Sequence, residues 1–223
     1  MITPKKRGRS RLFIWGLSLF ILGIVLMIIN IFVSYNLGKV AICAPFALGQ
    51  YEFNRAELSD KELDIAWKLY VQLVTRKAAI PIEEDDIIIE VYDSWYQLFS
   101  STRDYLLELP SQDLEENKNA QEIVRLSLDV LNKGLRPHLT KWQGKYRKWY
   151  SEAIIDPDNA SLSPQEIQKK YPEYTQLMQE IKKVNDELIS YSTELKRFSH
   201  EKPPSLSSKF VARTKHLFYR SSD

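Results

Sequence analysis

The sequence predicts an all-α protein: an N-terminal single transmembrane helix followed by a bundle of about four long helices. Three observations predict it. Residues 12–33 form an uncharged apolar run, LFIWGLSLFILGIVLMIINIFV. From residue 59 onward apolar residues recur at gaps of three and four, the repeat of one helix face. Only Gly134 and Gly144 of the seven glycines lie beyond residue 50, and the chain shows no alternating strand pattern.

The chain divides into a basic tip (1–11), the transmembrane helix (12–35), a juxtamembrane linker (36–58), the helical bundle (59–201) and a basic tail (202–223). The formal net charge of +2 hides an uneven layout. Lys5, Lys6, Arg7, Arg9 and Arg11 give the tip +5, which leaves 26 bases against 29 acids in the rest. At ~1.5 Å per residue the apolar run spans roughly 33 Å as a helix, enough for a ~30 Å hydrocarbon core. It is longer than the apolar region of a cleaved signal peptide, and Ile42 before Cys43 does not suit a lipoprotein signal. An uncleaved signal anchor fits it. The flanking bases put the N-terminus in the cytoplasm and the bundle outside it, with the reverse topology as the rival. Residues 40–48 are apolar but hold Pro45 and are too short for a second span; they are expected at the interface or against the domain. Gly16, Ser18 and Gly23 form no small-xxx-small pair for self-association of the span.

Within the bundle, Ser59 and Glu62 form a capping box ahead of Leu63, Ala66, Trp67, Tyr70, Leu73 and Val74, and Ile80-Pro81 ends that run. The acidic cluster Glu83–Asp86 suits the start of a second helix carrying Ile88, Val91, Trp95, Leu98, Thr102, Tyr105 and Leu109. A third helix begins near Asp113, with Ile123, Val130 and Leu131. Gly134 and Pro137 predict a kink or break in it. Leu135, Leu139, Trp142, Tyr146 and Trp149 continue beyond. Ser163-Pro164 with Glu166 reads as another helix start. The last helix has Tyr174, Leu177, Ile181, Val184, Leu188, Tyr191, Leu195 and Phe198, a seven-residue repeat that predicts a long bundle or coiled-coil helix.

The chemistry in this pattern is sparse. A single cysteine, Cys43, excludes an intrachain disulfide framework and a thiolate metal cage. Three scattered histidines predict no metal site. Phosphate loops need glycines that the body lacks, and no G-x-S-x-G, H-E-x-x-H or C-x-x-C is present. No enzyme activity and no cofactor are expected. The unusual stretch is 133–149, where Lys133, Arg136, Lys141, Lys145, Arg147 and Lys148 interleave with Trp142, Tyr146 and Trp149. It suits a solvated face, anionic lipid headgroups, or docking on an acidic helix; nucleic acid ranks last. Two helices also share an echo, an aromatic two turns before Thr75-Arg76 and before Thr102-Arg103. Arg76, Arg103 and Arg136 could converge on an internal anion, or pair with acids such as Asp129. The candidate ligand or partner contacts are therefore Arg76, Arg103, Arg136, His138, Lys141, Lys145 and Lys148.

The segments AWKLYVQLVTR (66–76), SWYQLFSSTR (94–103) and VLNKGLRPHLTKW (130–142) resemble a helical, membrane-associated family of uncharacterised bacterial proteins. The resemblance covers roughly residues 60–150 and implies a bacterial host, and hence the inner membrane, but no named activity. The expected function is a membrane-anchored scaffold, assembly factor or sensor subunit. Its expected partners are the lipid bilayer and a protein or a second copy of the chain. The alternative is a membrane-tethered ligand-sensing or effector component of a bacterial defence or stress system.

Overall fold

A computed structural model describes residues 15, 18–29 and 38–201. The chain forms two compact units, Met1–Lys39 and Val40–Asp223. In the first, Trp15 and residues 18–29 are helical and exposed. The remainder of the expected span, 12–35, lies outside the described residues, as do the basic tip and the tail from residue 202. Among the described residues no helix is long and apolar enough to cross a membrane.

The second unit opens with a hairpin that the sequence pattern does not predict. Strand β1 (Lys39–Ala44) pairs with β2 (Gly49–Asn54). From Val40 onward the segment read as a linker is thus part of this unit. Val40 and Ile42 are buried on β1, and Tyr51 and Phe53 on β2. The turn Pro45–Leu48 is closed by the Leu48 amide donating to the Pro45 carbonyl at 3.2 Å. Its central residues, Phe46 and Ala47, have φ of 59° and 54°. Type I′ hairpin turns need left-handed backbone at both central positions, which normally selects Asn-Gly. Phe-Ala hides the turn from sequence reading and strains it.

Four long helices follow among the described residues: α1 (Asp60–Val74), α2 (Ile88–Leu106), α4 (Lys118–Asp129) running through a π-helical segment (Val130–Leu135) into α5 (Arg136–Ala153), and α7 (Tyr174–Ser199). Short α3 (Ser111–Glu116) and α6 (Pro164–Lys169) link them. The heptad positions 177, 181, 184, 188, 191, 195 and 198 of α7 are all buried, as the repeat requires. On α1 the apolar stripe is rotated from the expected one. Leu63, Ile65, Ala66, Leu69 and Leu73 are buried, while Trp67 is 43% exposed.

Helix ends are satisfied by side chains from distant elements. The capping box of Ser59 and Glu62 forms, and the buried Glu62 carboxylate also accepts from Asn117 Nδ2 at 2.7 Å. Ile87 offers α2 no cap, so the buried Gln168 of α6 supplies one. Its Oε1 accepts from the Ile88 amide at 3.1 Å, and its Nε2 donates to the Asp86 carbonyl at 3.0 Å. Asn185 of α7 clamps the loop after α1, accepting from the Ile82 amide and donating to the carbonyls of Ala78 and Ile80.

The helix expected to kink or break near Gly134 runs on through a π-helical segment without a break. The Arg136 amide donates to the Leu131 carbonyl five residues back. One residue later Pro137 has no amide to offer and would collide with an α-helical carbonyl, so a π turn absorbs it without a break. The glycine has its own reason. A Cβ on Gly134 would meet Phe46 Cδ2 at 2.1 Å. The Phe46 ring rests on the bare backbone of the π turn and fixes the hairpin tip there.

Gly134→Ala should lower stability by about 1–3 kcal/mol, the usual cost of overpacking. In a Phe46→Ala background most of that loss should vanish. Denaturant titration of the four proteins of this cycle checks it; additive losses would mean that the two residues are not coupled.

Candidate functional site

Two strands alone are only marginally stable, and a free strand edge needs cover. Helix α7 covers the edge of β1 with polar side chains spaced along one face. Arg197 donates to the Ala41 carbonyl, Glu194 accepts from the Cys43 amide at 3.3 Å, and Glu187 accepts from the Phe46 amide at 2.7 Å. At the far end of β2, Asn119 Oδ1 and Nδ2 bond the Asn54 amide and carbonyl at 2.7 and 2.8 Å. The hairpin is thus laced to the bundle, and its strained tip overhangs a groove.

The groove has a volume of about 560 Å³. Phe46 and Ala47 form one wall. Pro137, His138 and Lys141 come from the first turns of α5, and Glu180, Lys183, Val184 and Glu187 from α7. Its size and its mix of apolar walls with a few converging polar groups match a small-ligand or peptide-segment site. Glu180 organises the polar side. Its Oε1 accepts from Lys141 Nζ at 2.6 Å and its Oε2 from Trp142 Nε1 at 2.6 Å. Burial pushes its pKa up, but the hydrogen bonds from Lys141, Trp142 and Gln176 outweigh this and hold it below the usual range. Lys141 and Lys145 lie over the Trp142 ring, with Nζ at 4.7 and 5.7 Å from its centroid.

His138 bridges groove and core. It is buried, its Nε2 is 3.2 Å from the Tyr92 hydroxyl, and its Nδ1 is 3.9 Å from Glu180 Oε2. Tyr92 and Trp95 pack against its ring with centroids at 5.8 and 5.5 Å. Burial lowers its pKa to about 4, against a smaller opposing pull from Glu180. The imidazole is therefore neutral at physiological pH, a hydrogen-bonding group and a weak base.

The seven residues singled out from sequence fare differently. His138 and Lys141 meet in the groove, and Lys145 flanks it on Trp142. Lys148 lies instead beside a second surface depression with Ile89, Tyr150 and Ile154. The three arginines do not converge. Arg76 Nε donates to Gln72 Oε1 at 2.7 Å and its Nη1 to Gln97; Arg136 reaches Asn132 at 3.4 Å; Arg103 is exposed. They sit on outward faces or at a helix end, so no shared anion is enclosed. Asp129 is taken by Lys133 and the Tyr51 hydroxyl, both at 2.8 Å. Much of the basic stretch is paired internally, Lys133 with Asp129, Lys141 with Glu180 and Arg147 with Asp93. Among the described residues no group of His, Cys, Asp and Glu could hold a metal ion.

Sequence reading missed Phe46, Ala47, Tyr92, Glu180 and Glu187. Gly134 was the available signal, since a glycine inside a helix marks a close approach. No protein-family model matches the sequence, and no curated protein and no solved structure matches it.

The buried histidine predicts a pH dependence. In the unfolded chain the imidazole takes a proton near pH 6.5, whereas in the fold it stays neutral down to about 4. Between these values the unfolded chain binds more protons, so stability falls as pH drops, by on the order of 3 kcal/mol over the full window. Asp86, Asp129 and Glu180, whose pKa values are lowered, add their losses only below about pH 4.5. Stability measured from pH 7 to 4.5 should fall in the native protein and stay nearly flat in His138→Gln; equal slopes would reject a neutral buried imidazole.

Proposed function

We propose that this chain is a single-pass membrane-anchored interaction protein, a scaffold, assembly factor or sensor subunit without catalytic activity. Its bundle would engage a protein partner at the groove beneath the hairpin tip. The observation that carries the reading is the turn itself. Two consecutive non-glycine residues in left-handed backbone cost on the order of 1–2 kcal/mol each, and such strain concentrates at functional sites. Here it places Phe46 and Ala47 on the wall of the groove.

The anchor is supported by the uncharged run and by the helical residues within it. Leu19 is 65% exposed, Leu22 52%, Leu26 57% and Ile29 51%. These and their apolar neighbours lie on every side of the helix, a distribution that suits lipid better than water. The flanking bases favour a cytoplasmic N-terminus with the bundle outside the cytoplasm, and the resemblance to a bacterial family favours the inner membrane. The alternative, an anionic ligand held by Arg76, Arg103 and Arg136 in a defence or stress system, lacks the convergence it needs.

Two experiments test the proposal. Exposed Cys43 is first replaced by Ala, and Gly144, exposed with open space around it, by Cys. The protein should stay in the membrane pellet through alkaline carbonate and react with an impermeant thiol reagent in intact cells. Release by carbonate would remove the anchor, and labelling only after lysis would reverse the topology. Separately, a photocrosslinking side chain at Lys183 should give a discrete adduct in cells, and the same group at Gly144 should not. Identical patterns at both sites would remove the groove from the proposal.

A further inference from the structure

The groove beneath the hairpin tip holds two polar groups that the fold leaves unmatched. Lys183 of α7 is exposed on its lining and makes no hydrogen bond or ion pair to any described residue. The two carboxylates of the groove are already committed. Glu180 accepts from Lys141, Trp142 and Gln176, and Glu187, one turn after Lys183, is turned to the Phe46 amide. His138 carries the second unmatched group. The residue is 7% exposed, yet only its Nε2 is matched, by the Tyr92 hydroxyl in the core. Its Nδ1 lies on the side of Glu180, whose Oε2 at 3.9 Å is beyond hydrogen-bond reach. The carboxylate beside Nδ1 favours the tautomer with the proton there, and Nε2 then accepts from Tyr92. Both unmatched groups are donors, so they select a ligand that accepts.

Resting on the reading of this groove as a partner site, we infer that its occupant is an acidic peptide segment of another protein. An Asp or Glu of the segment pairs with Lys183. An adjacent apolar side chain lies against Phe46, Pro137 and Val184, and a backbone carbonyl takes the His138 Nδ1 proton. The chain's own termini do not suit the site. The N-terminal tip has five bases and no acid, and the tail has Lys202, Lys209, Arg213, Lys215 and Arg220 against Asp223. Either would bring like charge to Lys183. A polyanion does not suit it either, because a run of negative charge would meet Glu180 and Glu187 as well as Lys183. A segment with one acid beside an apolar residue satisfies the ammonium and avoids both carboxylates.

A random peptide library displayed on phage, selected against the full chain in lipid nanodiscs, tests this. Enriched peptides should carry an Asp or Glu beside an apolar residue. Lys183→Glu, a change at an exposed position, should leave the unfolding midpoint unaltered. It should weaken binding of the leading peptide about tenfold, since a surface attraction is replaced by a repulsion. Exchanging the acid of the peptide for Lys should restore binding to that variant. The His138 Nδ1 proton should become protected from solvent exchange when the peptide is added to the native protein. Enrichment of basic or uncharged peptides, or equal affinity for the native and Lys183→Glu proteins, would overturn the inference. So would a photocrosslink from position 183 to a second copy of the chain or to a segment without an acid, an outcome that leaves the groove a partner site. Absence of both enrichment and crosslink would remove the partner site itself.

Discussion

The contact between Phe46 and Gly134 is the constraint on which the rest of the arrangement depends. It is possible only because position 134 has no Cβ, and the π turn brings that bare backbone to the surface of the helix. Three consequences follow. The hairpin tip acquires a seat, which offsets the strain of two left-handed residues. Glu187 can then take the Phe46 amide, beginning the row of α7 side chains that covers β1. The groove acquires a wall opposite His138 and Lys141. The Pro at 137 fits the same geometry, since a π turn just before it leaves no α-helical carbonyl to collide with the ring.

Elsewhere the fold relies on buried amides as connectors. Asn185 ties α7 to the loop after α1, Gln168 caps α2 from α6, and Asn119 continues the hydrogen bonding of β2. Each amide offers both a donor and an acceptor, so each satisfies backbone groups that irregular segments would leave bare. Truncating any of them would leave two or more backbone groups without a partner at once.

The electrostatics of the basic stretch show how a charge run loses its meaning once folded. Read linearly, residues 133–149 offer a cationic surface. Folded, Lys133, Arg147 and Lys141 face carboxylates on α4, α2 and α7, respectively, and Lys145 lies over Trp142. The local chemistry is a set of paired charges around a neutral histidine.

The four long helices were legible in the sequence because a helix repeats its buried face every three to four residues, and that repeat is written directly in the chain. Leu177 to Phe198 illustrate it, and the Ser59 and Ser163 caps mark starts with equal clarity. The sequence by itself also determined the uncharged run at 12–33 and the charge asymmetry around it. What only the tertiary structure decided was the hairpin, the groove and the fate of the arginines. A type I′ turn built from Phe-Ala carries no local signal, because its strain is offset by contacts more than eighty residues away. Arg76 and Arg103 share a sequence context but not a place, since helix phase and packing set the direction of each side chain. Partners such as Glu180 and Glu187 occupy polar positions of a heptad, where the local pattern says only that they face outward and the neighbouring elements decide what they meet.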